Sequence, residues 1–137
     1  MTFTILEHPS DVGIEATGDS LKDAFEQAAH ALMAVILEIT PGPAGEERVI
    51  ALRCDDREQL LVRWLSEILY LYDAQGFVAS EITVGDLSSR HLTARIRGER
   101  FSPDRHLPRL DVKAVTYHQL LVEGTPAGAR VRVFLDI

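Results

Sequence analysis

The sequence has one cysteine, Cys54, so an intramolecular disulfide is excluded and a thiolate zinc centre has nothing to build on. It has no apolar run near the ~20 residues that a membrane span needs. The opening residues, Met1 to Glu7, lack the basic start and apolar middle of a secretory signal. A soluble, cytoplasmic protein with no membrane partner is the expectation. Aromatic residues make up only 7% of the chain, which leaves few platforms for stacking bases. Also missing are a glycine-rich phosphate loop, a nucleophile elbow and a helical His-Glu zinc motif, so the common signatures of small enzymes are absent.

Positive charge is scarce overall: 14 lysines and arginines against 21 acidic residues, a net charge of −7. Residues 1–89 carry 5 basic and 16 acidic side chains, whereas residues 90–113 carry 7 basic side chains against Glu99, Asp104 and Asp111. An acidic protein gains nothing from non-specific phosphate attraction, so direct high-affinity nucleic-acid binding is not expected. The arginines of the basic segment read first as the solvated face of a hairpin. With 137 residues, 46% of them hydrophobic, the chain is long enough for one domain, 1–137, with a sizeable core.

Phe3 and Ile5 alternate with threonines in a first strand, which Pro9 ends, and Val12, Ile14 and Ala16 mark a second. From Leu21 the spacing changes to threes and fours through Ala24, Phe25, Ala28, Leu32, Val35 and Ile36, predicting a helix capped by Asp19 or Ser20 and stopped by Pro41-Gly42-Pro43. A strand over Glu47 to Cys54 precedes a second helix, capped by Asp55-Asp56 and carrying Leu60, Leu61, Trp64, Leu65, Ile68, Leu69 and Tyr72 up to Gly76. Phe77 to Val84 and His91 to Arg97 flank Gly85-Asp86, a hairpin signal. Residues 98–108 read as a connection, Asp111 to Val122 as a strand, and Ala129 to Ile137 as the last strand. The order ββαβαββββ predicts an α+β fold: a two-layer domain with two helices on a largely antiparallel sheet.

Within Asp111 to Val122, strict alternation places Val112, Ala114, Thr116, His118, Leu120 and Val122 on one inward face. A lone histidine there is more often a satisfied core residue than a catalyst. Other candidates stand at turns and strand ends: His8 and Asp11 in the Pro-containing turn, His106 in the basic loop, and Asp136 beside the main-chain carboxylate of Ile137. An acidic residue at a strand end ordinarily faces water. Paired with a main-chain carboxylate, and with Asp11 if the chain ends meet, it forms an oxygen set suited to calcium or magnesium rather than zinc. One reading of Asp11, Asp136 and His118 is a small metal-dependent phosphate-ester hydrolase; an RNA-binding module is the weakest reading.

Several segments together resemble the archease family. They are His8-Pro9-Ser10-Asp11-Val12-Gly13, Leu60-Leu61-Val62-Arg63-Trp64-Leu65-Ser66-Glu67, Gly98-Glu99 through His106, Asp111-Val112-Lys113-Ala114-Val115-Thr116-Tyr117-His118, and the terminal Val133-Phe134-Leu135-Asp136-Ile137. The resemblance covers essentially the whole chain in order. It implies a protein that is not itself an enzyme but activates an RtcB-type RNA ligase in tRNA splicing and RNA repair. Such a protein promotes guanylylation of the ligase by GTP and sustains its turnover, so its link to GTP and RNA runs through the ligase. The resemblance also implies a divalent-metal site at Asp11, Asp136 and Ile137, with calcium first and magnesium or manganese as alternatives. His8, Lys113 and His118 become supporting or partner-contacting residues. The family's usual Thr-Ala between the histidine and the aspartate is Pro9-Ser10 here.

Overall fold

The computed structural model describes residues 2–7, 11–40 and 42–137, with Glu7 described through its backbone alone. The elements run β1 (Thr2–Glu7), β2 (Asp11–Gly18), α1 (Leu21–Ile36), β3 (Leu37–Ile39), β4 (Glu46–Arg53), α2 (Arg57–Gln75), β5 (Phe77–Leu87), β6 (His91–Arg100), β7 (His106–Pro108), β8 (Ala114–Thr125) and β9 (Gly128–Asp136). This is the expected α+β order with two short strands added, β3 and β7. Every strand pair described is antiparallel. The strands form ladders β1-β2-β9-β8, β4-β6-β5 and β3-β7, and α1 packs against strands of both larger sheets.

Both helices begin where their caps direct. The Ser20 hydroxyl accepts from the Asp23 N–H at 3.3 Å, and the Asp56 carboxylate accepts from the Gln59 N–H at 2.8 Å. Gly76 closes α2 at φ 63°, a left-handed conformation that glycine adopts without a Cβ penalty. Helix α1 ends at Ile36, ahead of the Pro41-Gly42-Pro43 signal, of which Pro41 lies outside the described residues. The reason is a long-range one: Arg109 N–H and Leu110 N–H take the Ile36 and Val35 carbonyls at 2.8 and 3.2 Å as β7 pairs with β3. The residues read as a connection therefore include a strand and the helix's C-terminal hydrogen-bond partners.

One cluster of buried side chains joins the elements, with Trp64, Phe25, Phe77, Ile14 and Leu32 among its largest members. Cys54 is a half-buried free thiol packed against this cluster. The β5–β6 hairpin turns at Ser88 to Arg90, not at Gly85-Asp86, which instead sits at a register shift between Val84 and Asp86. Along this ladder Gly98 has no room for a side chain. A Cβ built there would lie 2.0 Å from the Val78 carbonyl oxygen and 3.0 Å from the Phe77 ring. Since backbone would have to move, Gly98→Ala is expected to destabilise by about 1–3 kcal/mol, seen as a lower urea midpoint at unchanged slope. An unchanged midpoint would show that the β5–β6 approach is looser than described.

The strand over Asp111 to Val122 is the main correction. Val112 and Val122 are buried as expected, but Ala114 and His118 are exposed, and Thr116 and Leu120 are half-buried. On β9, Phe134 pairs with Thr116 and Arg132 pairs with Leu121, so five positions on β8 advance against two on β9. Three extra residues, an odd number, reverse which parity faces the core. Gln119 absorbs the distortion at φ 49°, and its carbonyl is held by the Arg132 guanidinium at 3.0 Å.

Candidate functional site

The β2–β9 ladder brings together the two ends of the sequence. Its register pairs Asp11 with Asp136, then Val12 with Leu135, Gly13 with Phe134, and onward to Gly18 with Ala129. Val12, Ile14 and Ala16 on β2 and Val131, Val133 and Leu135 on β9 are buried in the core. Alternation therefore turns Asp11, Gly13, Asp136 and Phe134 to the outer face, and directly opposed residues share a face with Cβ atoms roughly 5 Å apart.

Asp136 is exposed, whereas Asp11 is half-buried, and its Oδ1 is shielded from solvent with no hydrogen-bond partner among the described residues. A shielded carboxylate oxygen without a donor is costly. A cation between the two carboxylates would relieve that cost, and hard oxygen donors fit calcium, magnesium or manganese. Ile137 follows directly, with its side chain packed against the core and its main chain beside Asp136. Among the described residues, no three His, Cys, Asp or Glu side chains gather in metal-binding fashion. What the ladder brings together here is two opposed carboxylates beside the main chain of Ile137.

The supporting residues divide. Lys113 lies next to the pair, since its N–H donates to the Asp136 carbonyl at 2.8 Å and its side chain is exposed. His118 leaves the core and packs edge-on against Phe134, ring centroids 5.7 Å apart, on the outer face that carries the carboxylates. The Thr116 hydroxyl fixes this corner by donating to the Phe134 carbonyl at 2.9 Å and accepting from the His118 N–H at 3.2 Å. Gly13 leaves space for the same ring, because a Cβ there would come within 2.9 Å of it. His8 lies outside the described residues, as do Pro9 and Ser10.

The basic segment disperses. Arg95 reaches Glu47 at 3.4 Å, and Arg97 donates to the Ala44 carbonyl at 3.1 and 3.3 Å. A polar group missed in the sequence forms instead: Arg105 donates to Glu99 through Nε at 2.9 Å and also through Nη2. His106, buried, accepts from the Ser102 N–H at 2.8 Å through Nδ1, leaving its ring proton on Nε2. Nε2 stands 3.1 Å from Glu99 Oε1 but out of line, without a true hydrogen bond. Spacing offered no signal for this group, because Glu99 and Arg105 read as ordinary surface charges.

Burial lowers the pKa of His106 below its ordinary 6.5; Glu99 opposes this shift and Arg105 adds to it. Burial likewise lowers His30, with Glu26 opposing. Below pH 6.5 the unfolded chain therefore binds more protons than the folded one. The contribution is fully present above that pH and lost as the pH falls through the folded values. The urea midpoint is expected to drop between about pH 7.5 and pH 5.5, and a constant or rising midpoint would contradict the burial of these imidazoles. Asp73 acts in the opposite sense, since burial and then Asp111 raise its pKa, but from 3.8, beneath this window.

The sequence matches the Archease protein family (MTH1598/TM1083) over residues 3–137. A Protein archease of Pyrococcus abyssi is 37% identical over 125 residues, covering 89% of this chain and 88% of that protein. The Methanosarcina mazei protein of the same name is 34% identical over 139 residues, covering 98% and 95%. Among solved structures, protein 1598 of Methanobacterium thermoautotrophicum superposes with a TM-score of 0.82 at 30% identity, over 98% of each chain. An archease of Thermotoga maritima described as a possible chaperone shares the fold, with a TM-score of 0.65 at 20% identity over 96% and 94%.

Proposed function

Because the chain belongs to the archease family, we propose that it is a protein activator of an RtcB-type RNA ligase. In this reading it promotes guanylylation of the ligase by GTP and sustains multiple turnover in tRNA splicing and RNA repair. The observation that carries the reading on this chain is the opposition of Asp11 and Asp136 across one ladder, with an Asp11 oxygen that no described residue supplies with a donor.

In the proposed site the two carboxylates and the Ile137 main chain hold a divalent cation, calcium first and magnesium or manganese otherwise. The bound ion supplies positive charge, which lets a carboxylate-rich corner approach the phosphates and metals of a guanylylation site. The chain's own residues fix that corner. The β2–β9 register sets the carboxylate pair, the Lys113 N–H holds the backbone at Asp136, and the Lys113 ammonium is free to reach a phosphate or an acidic partner. In phosphoryl transfer most of the catalysis is positioning and charge neutralisation, so a partner that aligns triphosphate and metal accelerates the step without chemistry of its own. RNA is met through the ligase, and a cytoplasmic location belongs to the same proposal. No described helix is long and apolar enough to cross a membrane.

The test is a guanylylation and ligation assay at limiting cognate ligase, with and without this protein. Product per ligase is expected to rise about tenfold or more, equivalent to ~1.4 kcal/mol in the limiting barrier. An unchanged multi-turnover rate would overturn the proposal. Nucleotide or phosphate-ester turnover by the protein alone with divalent metal would favour the hydrolase reading instead.

A further inference from the structure

A cavity of about 420 Å³ opens on the side of the fold where α1, β3 and β5 meet the Glu99–His106 pair. Its walls are apolar: Met33 and Ala34 from α1, Leu37 and Ile39 from β3, Val78 and Ala79 from β5. Its polar lining includes Glu99 and His106. Glu99, whose side chain is 13% exposed, uses Oε1 for both Arg105 nitrogens and for the approach of His106. No described residue donates a hydrogen bond to Oε2. Gly42 keeps the space beside it open, since a Cβ there would lie 2.9 Å from Oε2 and 2.8 Å from Arg105 Nε. His106 is 1% exposed, and its Nε2 has no aligned acceptor.

We propose that this cavity binds a small organic ammonium ion, with its apolar body against α1, β3 and β5 and its head on Glu99 Oε2. The sign of charge selects the class. Glu81, which is exposed, and Glu99 outweigh Arg105 by one negative charge, the imidazoles of half-buried His30 and buried His106 favour their neutral forms, and the whole chain stands at −7. An anion would meet Glu99 and Glu81, and a purely apolar ligand would leave Oε2 shielded and unpaired. An ammonium ion supplies donors to Oε2, where no described residue does. The Ser80 hydroxyl, which donates to the Arg97 carbonyl at 3.3 Å, keeps lone pairs for a second one. The inference is independent of the ligase and of the Asp11–Asp136 corner.

The experiment is a ¹⁵N-resolved NMR titration of the intact chain at about pH 7.5 with three matched probes: 2-phenylethylammonium, 2-phenylethanol and phenylacetate. The ammonium is expected to give saturable shifts confined to amides such as Ile39, Ala79 and His106. The alcohol is expected to bind about tenfold more weakly, and phenylacetate not to saturate. Glu99→Gln should erase the preference for ammonium over alcohol. Because that change also disturbs Arg105, the second variant is Ala34→Phe, which fills the cavity from the helix side and should abolish binding of both. Equal affinity for ammonium and alcohol, binding of phenylacetate, shifts centred elsewhere, or no saturation by the ammonium would each overturn the proposal.

Discussion

Trp64→Ala is expected to lower the unfolding free energy by about 3–5 kcal/mol, a large share of the ~5–15 kcal/mol that holds a domain of this size together. Trp64 is fully buried between the helices, and its indole N–H donates to the Phe25 carbonyl of α1 at 2.9 Å, 39 residues away in sequence. Alanine would leave a cavity at the centre of the cluster and remove the one side-chain hydrogen bond described between α2 and α1. Trp64→Phe weighs the two effects: it loses the donor but keeps most of the apolar volume and leaves a much smaller void, for about 1–3 kcal/mol. Thermal or urea unfolding of the three proteins checks the order. If Trp64→Ala unfolds within ~0.5 kcal/mol of the wild type, Trp64 does not hold the helices together.

The helices were legible because their signals are local. Ser20 and Asp56 are caps whose side chains act within three residues, Gly76 is a left-handed stop, and the apolar spacing of α1 and α2 repeats over four or more turns. The strands were legible as alternation, but their phase was not. Nothing in Tyr117-His118-Gln119-Leu120 announces that three of its neighbourhood's residues are surplus to the β9 register, so alternation alone puts His118 on the wrong face. Gly85-Asp86 carried the right turn chemistry and was used for a register shift instead. Strands β3 and β7 have three residues each, too short for any period to show, and they exist because each supplies the other's hydrogen bonds. The Glu99–Arg105–His106 group needs the β6–β7 connection to fold back before its charges meet.

The carboxylate corner lies between these cases. Adjacency of Asp136 and Ile137 is written in the sequence, whereas the meeting of Asp11 with Asp136 came from resemblance to a family and depends physically on the β2–β9 register. A shift of one residue would place one carboxylate against the core. Buried Val12 opposite buried Leu135 penalises such a shift, so the hydrophobic pattern of the two strands is what fixes the pair.

From that geometry comes a crossed expectation for Asp11 and Asp136. Asp136 is exposed, so Asp136→Ala should leave the metal-free fold within ~0.5 kcal/mol of the wild type. Asp11→Asn keeps the shape of its side chain and replaces a donor-less, shielded carboxylate oxygen by a neutral amide, so without metal its stability should equal or exceed that of the wild type. With calcium the order reverses. Ligand that binds only the folded state adds ~2.7 kcal/mol at a hundredfold excess over its dissociation constant, a gain open to the wild type and reduced or lost in both variants. In the ligase assay both variants should stimulate product formation about tenfold less than the wild type, although they are as well folded. Differential scanning calorimetry with calcium and with a chelator, beside the ligase assay, checks both halves. If calcium raises all three melting temperatures equally, the cation does not sit between Asp11 and Asp136. If instead calcium distinguishes the proteins but all three stimulate the ligase alike, the metal site stands and its role in activation falls.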